Sequence, residues 1–99
     1  MRVEPLEDRY LLSGYTPGPL VEISNQNVTA EPYVAVNPSN PKNIAAAWID
    51  HPFAANVASV TFDGGKTWQN VPIPVSVYSG GPYPYAADPW LSFAPNGDL

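Results

Sequence analysis

From residue 31 onward the chain alternates short apolar runs with polar, turn-forming stretches. The runs are Y-V-A-V (33–36), N-I-A-A-A-W-I (43–49), N-V-A-S-V-T-F (56–62) and T-W-Q-N-V-P-I-P-V (67–75), and Asn, Pro, Asp and Gly fill the gaps. Runs of this length, bounded by turn residues, predict strands over 33–36, 44–49, 56–62 and 67–75 joined as an antiparallel meander. Proline makes up 13 of the 99 residues, against an average of ~5%. Proline lacks an amide donor and clashes inside helices, so long helices are excluded. The first 14 residues differ: they hold both arginines, and Leu6, Tyr10 and Leu11 fall near one face of a short helix predicted over Pro5–Leu12. Residues 15–30, with Pro17, Gly18, Pro19 and S-N-Q-N, read as a linker with one strand at Leu20–Ile23.

The pattern then restarts. E-P-Y-V-A-V-N-P-S-N (31–40) aligns with D-P-W-L-S-F-A-P-N-G (88–97) at an offset of 57 residues, matching acid with acid, Tyr33 with Trp90 and Pro38 with Pro95. A repeating four-stranded unit is the signature of a β-propeller. The expected fold is all-β: one antiparallel four-stranded blade and the opening strand, 89–93, of the next. About one and a quarter units are present, so the chain reads as a fragment whose partners include the remaining blades. A lone blade is apolar on both faces. Tyr33, Trp48, Trp68 and Trp90 are therefore expected to expose apolar surface, and strand edges to stay unpaired.

Charge narrows the functional classes. The net charge is −5, with four basic residues in all, and no basic patch exists to neutralise phosphates, which argues against nucleic acid. No apolar run reaches 18 residues, so no transmembrane helix is predicted. The N-terminus lacks the apolar core of an ordinary signal peptide. Cysteine is absent, which removes disulfides and thiolate metal sites. No metal site and no cofactor is expected.

Residues 61–68 read T-F-D-G-G-K-T-W. Asp63 is placed to accept hydrogen bonds from backbone N–H groups of its own turn. Gly64 and Gly65 allow positive φ at the tip, and Trp68 offers a large apolar plate. A turn-stabilising role outweighs a calcium role, since one carboxylate falls far short of the 6–8 oxygens calcium takes. Thr61-x-Asp63-x-Gly65-x-Thr67-Trp68 resembles the Asp-box of sialidases and related β-propellers, in which these residues are structural and lie away from the active site. The wider stretch 31–99 resembles the opening of bacterial sialidase-like proteins. The resemblance implies a propeller. It implies sialidase activity less, because one fold hosts many functions.

V-E-P-L-E-D-R-Y-L-L-S-G near the N-terminus resembles the L-E-[PD]-R-x-L-L-S motif that opens many extracellular proteins of planctomycete bacteria. Leu6, Glu7, Asp8, Arg9, Leu11, Leu12 and Ser13 match in order. That implies sorting to the exterior or the cell surface; a charged amphipathic turn is the alternative. The chain then divides into a sorting motif (1–14), a linker (15–30) and an incomplete propeller (31–99).

In a meander, the start of strand one and the loop between strands two and three share an edge. Glu31, Asp50, His51, Asp88 and the tyrosine-rich 78–87 fall on it, suited to sugar binding by hydrogen bonding and stacking. Glycans or a cell-surface component are the expected partners. Each residue also has a structural reading. Glu31 and Asp88 precede proline at equivalent repeat positions and would receive backbone N–H bonds. His51 is a lone loop histidine, and Tyr78, Tyr83 and Tyr85 would cover a seam between blades. Glycosidases commonly use paired carboxylates, but no spacing selects a pair here. Sialidases of the resembled family bind substrate through three arginines, and no arginine occurs from residue 10 to 99. No catalytic residue is assigned. The leading expectation is a non-catalytic binding or structural propeller; the alternative is the N-terminal part of an exo-alpha-sialidase-like glycoside hydrolase with catalytic residues beyond residue 99.

Overall fold

The computed structural model describes residues 14, 16, 18–24, 29–50 and 55–99. The predicted helix over 5–12, the sorting motif and His51 lie outside the described residues. Four strands form: β1 (Ala30–Val36), β2 (Ile44–Asp50), β3 (Ala55–Thr61) and β4 (Gln69–Pro72). They make one antiparallel sheet in the order β1-β2-β3-β4. The fold is all-β, an open four-stranded meander like a single propeller blade, followed by one 3-10 turn at Val77–Ser79.

The strands differ from expectation at their ends. β1 starts earlier than residue 33, with an irregularity in pairing between Ala30 and Tyr33. β4 is shorter than 67–75. Thr67 and Trp68 are engaged within the preceding turn, and Pro72 and Pro74 have no amide to donate. The strand expected at 20–23 does not form, nor does the one expected at 89–93. Residues 89–93 have the composition of β1, but a strand needs a partner ladder, and none of the four strands pairs with them.

The register fixes two faces. Val34, Val36, Ala46, Trp48, Ser59 and Thr61 share the first; Tyr33, Ala35, Ala45, Ala47, Ile49 and Ala58 share the second. β2 is buried along nearly all its length. Its three consecutive alanines carry little bulk, so chain segments can approach the sheet closely from both sides. On the first face, Ile23, Ser24 and Thr29 line an apolar cleft with Ala46 and Trp48. Trp48 is therefore 5% exposed, which corrects the expectation that it would lie bare: the upstream flank seats beside it. Tyr33 and Trp68 are half-covered, whereas Trp90 is 79% exposed as expected. On the second face, Asn56 donates its side-chain N–H to the Ala87 carbonyl at 3.1 Å, and Tyr33 meets Trp90 with ring centroids 5.4 Å apart. The downstream flank thus covers the side opposite the upstream one.

Polar side chains tie the turns together at one edge. The Asn37 amide donates to Asn43 Oδ1 at 2.9 Å, and the Asn43 amide donates to the Thr61 carbonyl at 3.0 Å. Both asparagines are buried. Gly64 N–H donates to the Lys42 carbonyl at 2.9 Å, joining the β1–β2 turn to the β3–β4 turn. Ser39 Oγ donates to the Pro95 carbonyl at 2.6 Å, extending the chain of bonds to the second repeat.

Removing a buried partner leaves the other group desolvated, at a cost of about 1–3 kcal/mol. We therefore expect Asn43→Ala to lose about that much stability by urea denaturation. Asn40→Ala, whose amide makes an exposed local bond to Lys42 N–H, should lose clearly less. Equal losses would show that the buried amides do not hold the turns.

Candidate functional site

The Thr61–Trp68 turn is closed by its own side chains. Asp63 Oδ1 accepts from Thr61 Oγ1 at 2.8 Å, Lys66 N–H at 3.0 Å and Thr67 N–H at 2.9 Å, while Oδ2 accepts from Thr67 Oγ1 at 2.6 Å. Thr61 Oγ1 in turn accepts from Gly65 N–H at 3.0 Å. Gly64 and Gly65 have φ of 75° and 93°, a region that side-chain-bearing residues rarely occupy. Trp68 folds back over Gly65, and its indole N–H donates to the Gly65 carbonyl at 3.0 Å. The Thr67 hydroxyl, the Thr67 amide, the Thr61 hydroxyl and the Lys66 amide, in that descending order, hold the Asp63 carboxyl well below the usual carboxylate range, against a small opposing effect of burial. A carboxylate so strongly held in its ionised form is poorly suited to exchange protons near neutral pH. Its visible work is to close the turn.

The other edge carries the candidate binding residues. Glu31 and Asp88 come together there, each at the start of its repeat unit. Both have positive φ, 52° and 50°, so the 57-residue repeat reproduces an uncommon backbone state as well as a sequence. The turns after them match too: Asn40 N–H donates to the Asn37 carbonyl, and Gly97 N–H donates to the Ala94 carbonyl. Glu31, Pro32 and Tyr33 face Asp88, Pro89 and Trp90 across an open cleft of about 350 Å³. A hydrogen bond between the Glu31 and Asp88 carboxyls, then their mutual repulsion, then slight burial raise the Glu31 pKa above its ordinary 4.5.

The remaining predicted edge residues divide. Asp50 is buried at the end of β2 and does not line the cleft. Tyr78, Tyr83 and Tyr85 are exposed; they project from a loop braced by its backbone. Tyr83 N–H donates to the Val75 carbonyl, Val77 N–H to the Tyr83 carbonyl, and Gly81 N–H to the Ser76 carbonyl. A Cβ at Gly81 would meet the Val75 carbonyl, so the loop admits no side chain there. The structure adds Tyr33 and Trp90 to the edge. Their alignment in the repeat was the available signal, but alignment alone does not say that equivalent positions touch. Among the described residues, no group of three or more His, Asp or Glu gathers where a cation could be held.

The two carboxyl shifts have opposite consequences. The lowered Asp63 pKa stabilises the fold above the ordinary Asp value of 3.8 and is lost as pH falls below it. Asp63→Asn should be less stable than the parent at neutral pH and should flatten the loss of stability below pH ~4. The raised Glu31 pKa stabilises below 4.5, and that contribution is lost as pH rises through the raised value. Asp88→Asn should remove the repulsion, raise the thermal midpoint at pH 7 relative to the parent, and leave the acid limb due to Asp63 in place. Melts recorded across pH 2–8 separate the two effects; a common profile for both variants would contradict them.

No known protein family, curated protein or solved structure matches this chain.

Proposed function

We propose that this chain is one blade and the opening of the next in an Asp-box β-propeller, secreted or attached to the cell surface, with a non-catalytic role in binding. The observation that supports it is the cleft in which one repeat meets the other: Glu31 and Tyr33 from the first unit, Asp88 and Trp90 from the second. Repeat units that adjoin at equivalent positions suit a radial array of blades. The N-terminal motif supports an exterior location.

The chemistry of the cleft favours some ligands over others. Two aromatic rings offer apolar faces on which a sugar ring stacks. Two carboxyls offer hydrogen-bond acceptors and negative charge, which suits neutral or amine-bearing sugars and repels acidic ones. The described part of the chain has two cations, Lys42 and Lys66, both near the opposite edge. An acidic sugar such as a sialoside would meet no compensating charge in the cleft.

Titration of the purified chain with neutral, amine-bearing and sialylated oligosaccharides tests this reading. We expect binding of the first two classes and neither binding nor turnover of the third. Trp90→Ala should weaken binding roughly tenfold, the equivalent of about 1.4 kcal/mol. Indifference to Trp90→Ala, or a preference for sialosides, would overturn it.

A further inference from the structure

The segment from Tyr83 to Trp90 is fastened at three points. At its start, Tyr83 N–H donates to the Val75 carbonyl at 3.1 Å, just beyond β4, and the Tyr83 carbonyl accepts from Val77 N–H at 2.7 Å. Midway, the Ala87 carbonyl accepts from the Asn56 side chain at the start of β3. At its end, Trp90 meets Tyr33 of β1. Ala30, Ile49, Asn56 and Ile73 lie side by side at this end of the sheet: Ala30 pairs with Ile49, Ile49 pairs with Asn56, and Ile73 N–H donates to the Asn56 carbonyl. The segment therefore crosses the end of the sheet from the β4 side to the β1 side, on the face that carries Tyr33. With strands ~4.8 Å apart, that crossing spans about 15 Å.

Ala86 is buried and pins the segment down, while Tyr83, Tyr85 and Trp90 are 62%, 69% and 79% exposed. Pro82, Pro84 and Pro89 fix φ beside each of these rings. Aromatic rings on a fastened backbone present a large amphipathic surface at low cost in conformational entropy. No charged residue occurs from Thr67 to Ala87. A polyanion finds no cation along this path, and a charged peptide finds no counter-charge until Asp88. The path offers ring faces and phenolic hydroxyls, and it leads to the carboxyl acceptors of the Glu31–Asp88 cleft. Repeated uncharged rings bearing hydroxyls match that sequence of groups. We propose that Tyr83 and Tyr85 extend the cleft into one elongated surface for a neutral polysaccharide chain, with the two tyrosines as contacts outside the cleft. The inference rests on the sugar-binding reading above and deepens it: the ligand is a chain, not a single sugar.

Chain length supplies the test. Calorimetric titration of the full chain uses cello-, malto- and β-1,4-manno-oligosaccharides of two, four and six units. In at least one series, affinity should rise roughly tenfold from the disaccharide to the hexasaccharide. The double substitution Tyr83→Ala, Tyr85→Ala should remove that rise and leave disaccharide affinity unchanged. Tyr83→Phe with Tyr85→Phe should keep most of it, and Trp90→Ala should weaken short and long ligands alike. Circular dichroism checks folding; Tyr85→Ala alone serves should the double variant unfold. Equal affinity for short and long ligands, or a rise that survives loss of both tyrosines, overturns the elongated surface; a continued effect of Trp90→Ala would then leave the cleft reading standing. Tyrosine-dependent binding indifferent to Trp90→Ala overturns the joined path and the cleft reading together, as does no binding at any length. A proline-rich decapeptide that binds through the same tyrosines while the sugars do not would assign the surface to peptides and overturn the proposal.

Discussion

The central strand of this sheet carries apolar side chains on both faces, and both must be screened from water. This constraint organises the structure. The central strand β2 is made of alanines with one tryptophan, and little of it is exposed. Side chains so small cannot shield themselves, so cover comes from elsewhere in the chain. The upstream flank, through Ile23 and Ser24, lies beside Trp48 on one side. The downstream flank, through Ala87 and Trp90, lies on the other. Segments outside the sheet are thus part of its core, and the boundary between linker and domain is less sharp than composition implies.

The edges are organised by polar groups, and the two edges do different work. One gathers turns: Asn37, Asn43 and Thr61 form a buried relay, Lys42 meets Gly64, and Ser39 reaches Pro95. Every connection there is a donor matched to an acceptor, which is how buried polar groups become an asset rather than a penalty. The other edge sets Glu31 and Asp88 together in a left-handed backbone state. Two carboxyls that hydrogen-bond when one is protonated and repel when both are ionised do not serve stability near neutral pH.

Much of the sheet was legible in the sequence, because alternating apolar runs and turn residues are local signals. The cores of all four strands, their order and the Asp63 turn follow from residues within a few positions of one another. Where the reading failed, the deciding contact was distant. Trp48 looked destined for exposure because nothing near it in sequence marks Ile23, Ser24 and Thr29 as its cover. Residues 89–93 looked like a strand because composition cannot report whether another strand lies alongside to pair with them, and none of β1–β4 does. β4 looked longer because the claim of Asp63 on Thr67 competes with the sheet for the same amide. Asn37 and Asn43 looked like ordinary turn residues; their side chains are joined across the turn and then to Thr61, which is 18 positions beyond Asn43. Asp50 was expected on the same edge as Glu31 and Asp88, yet it is buried at the end of β2 and does not line their cleft.

The turn around Asp63 has a kinetic meaning as well. Its hydrogen bonds from Thr61, Gly65, Lys66 and Thr67 span at most four positions. Closing so short a loop costs little chain entropy and takes place quickly. The relay from Asn43 to Thr61, and the reach from Ser39 to Pro95 across 56 positions, require far larger loops to close. The β3–β4 hairpin is therefore the corner whose closure costs the least chain entropy, a locally encoded surface on which the distant segments can condense.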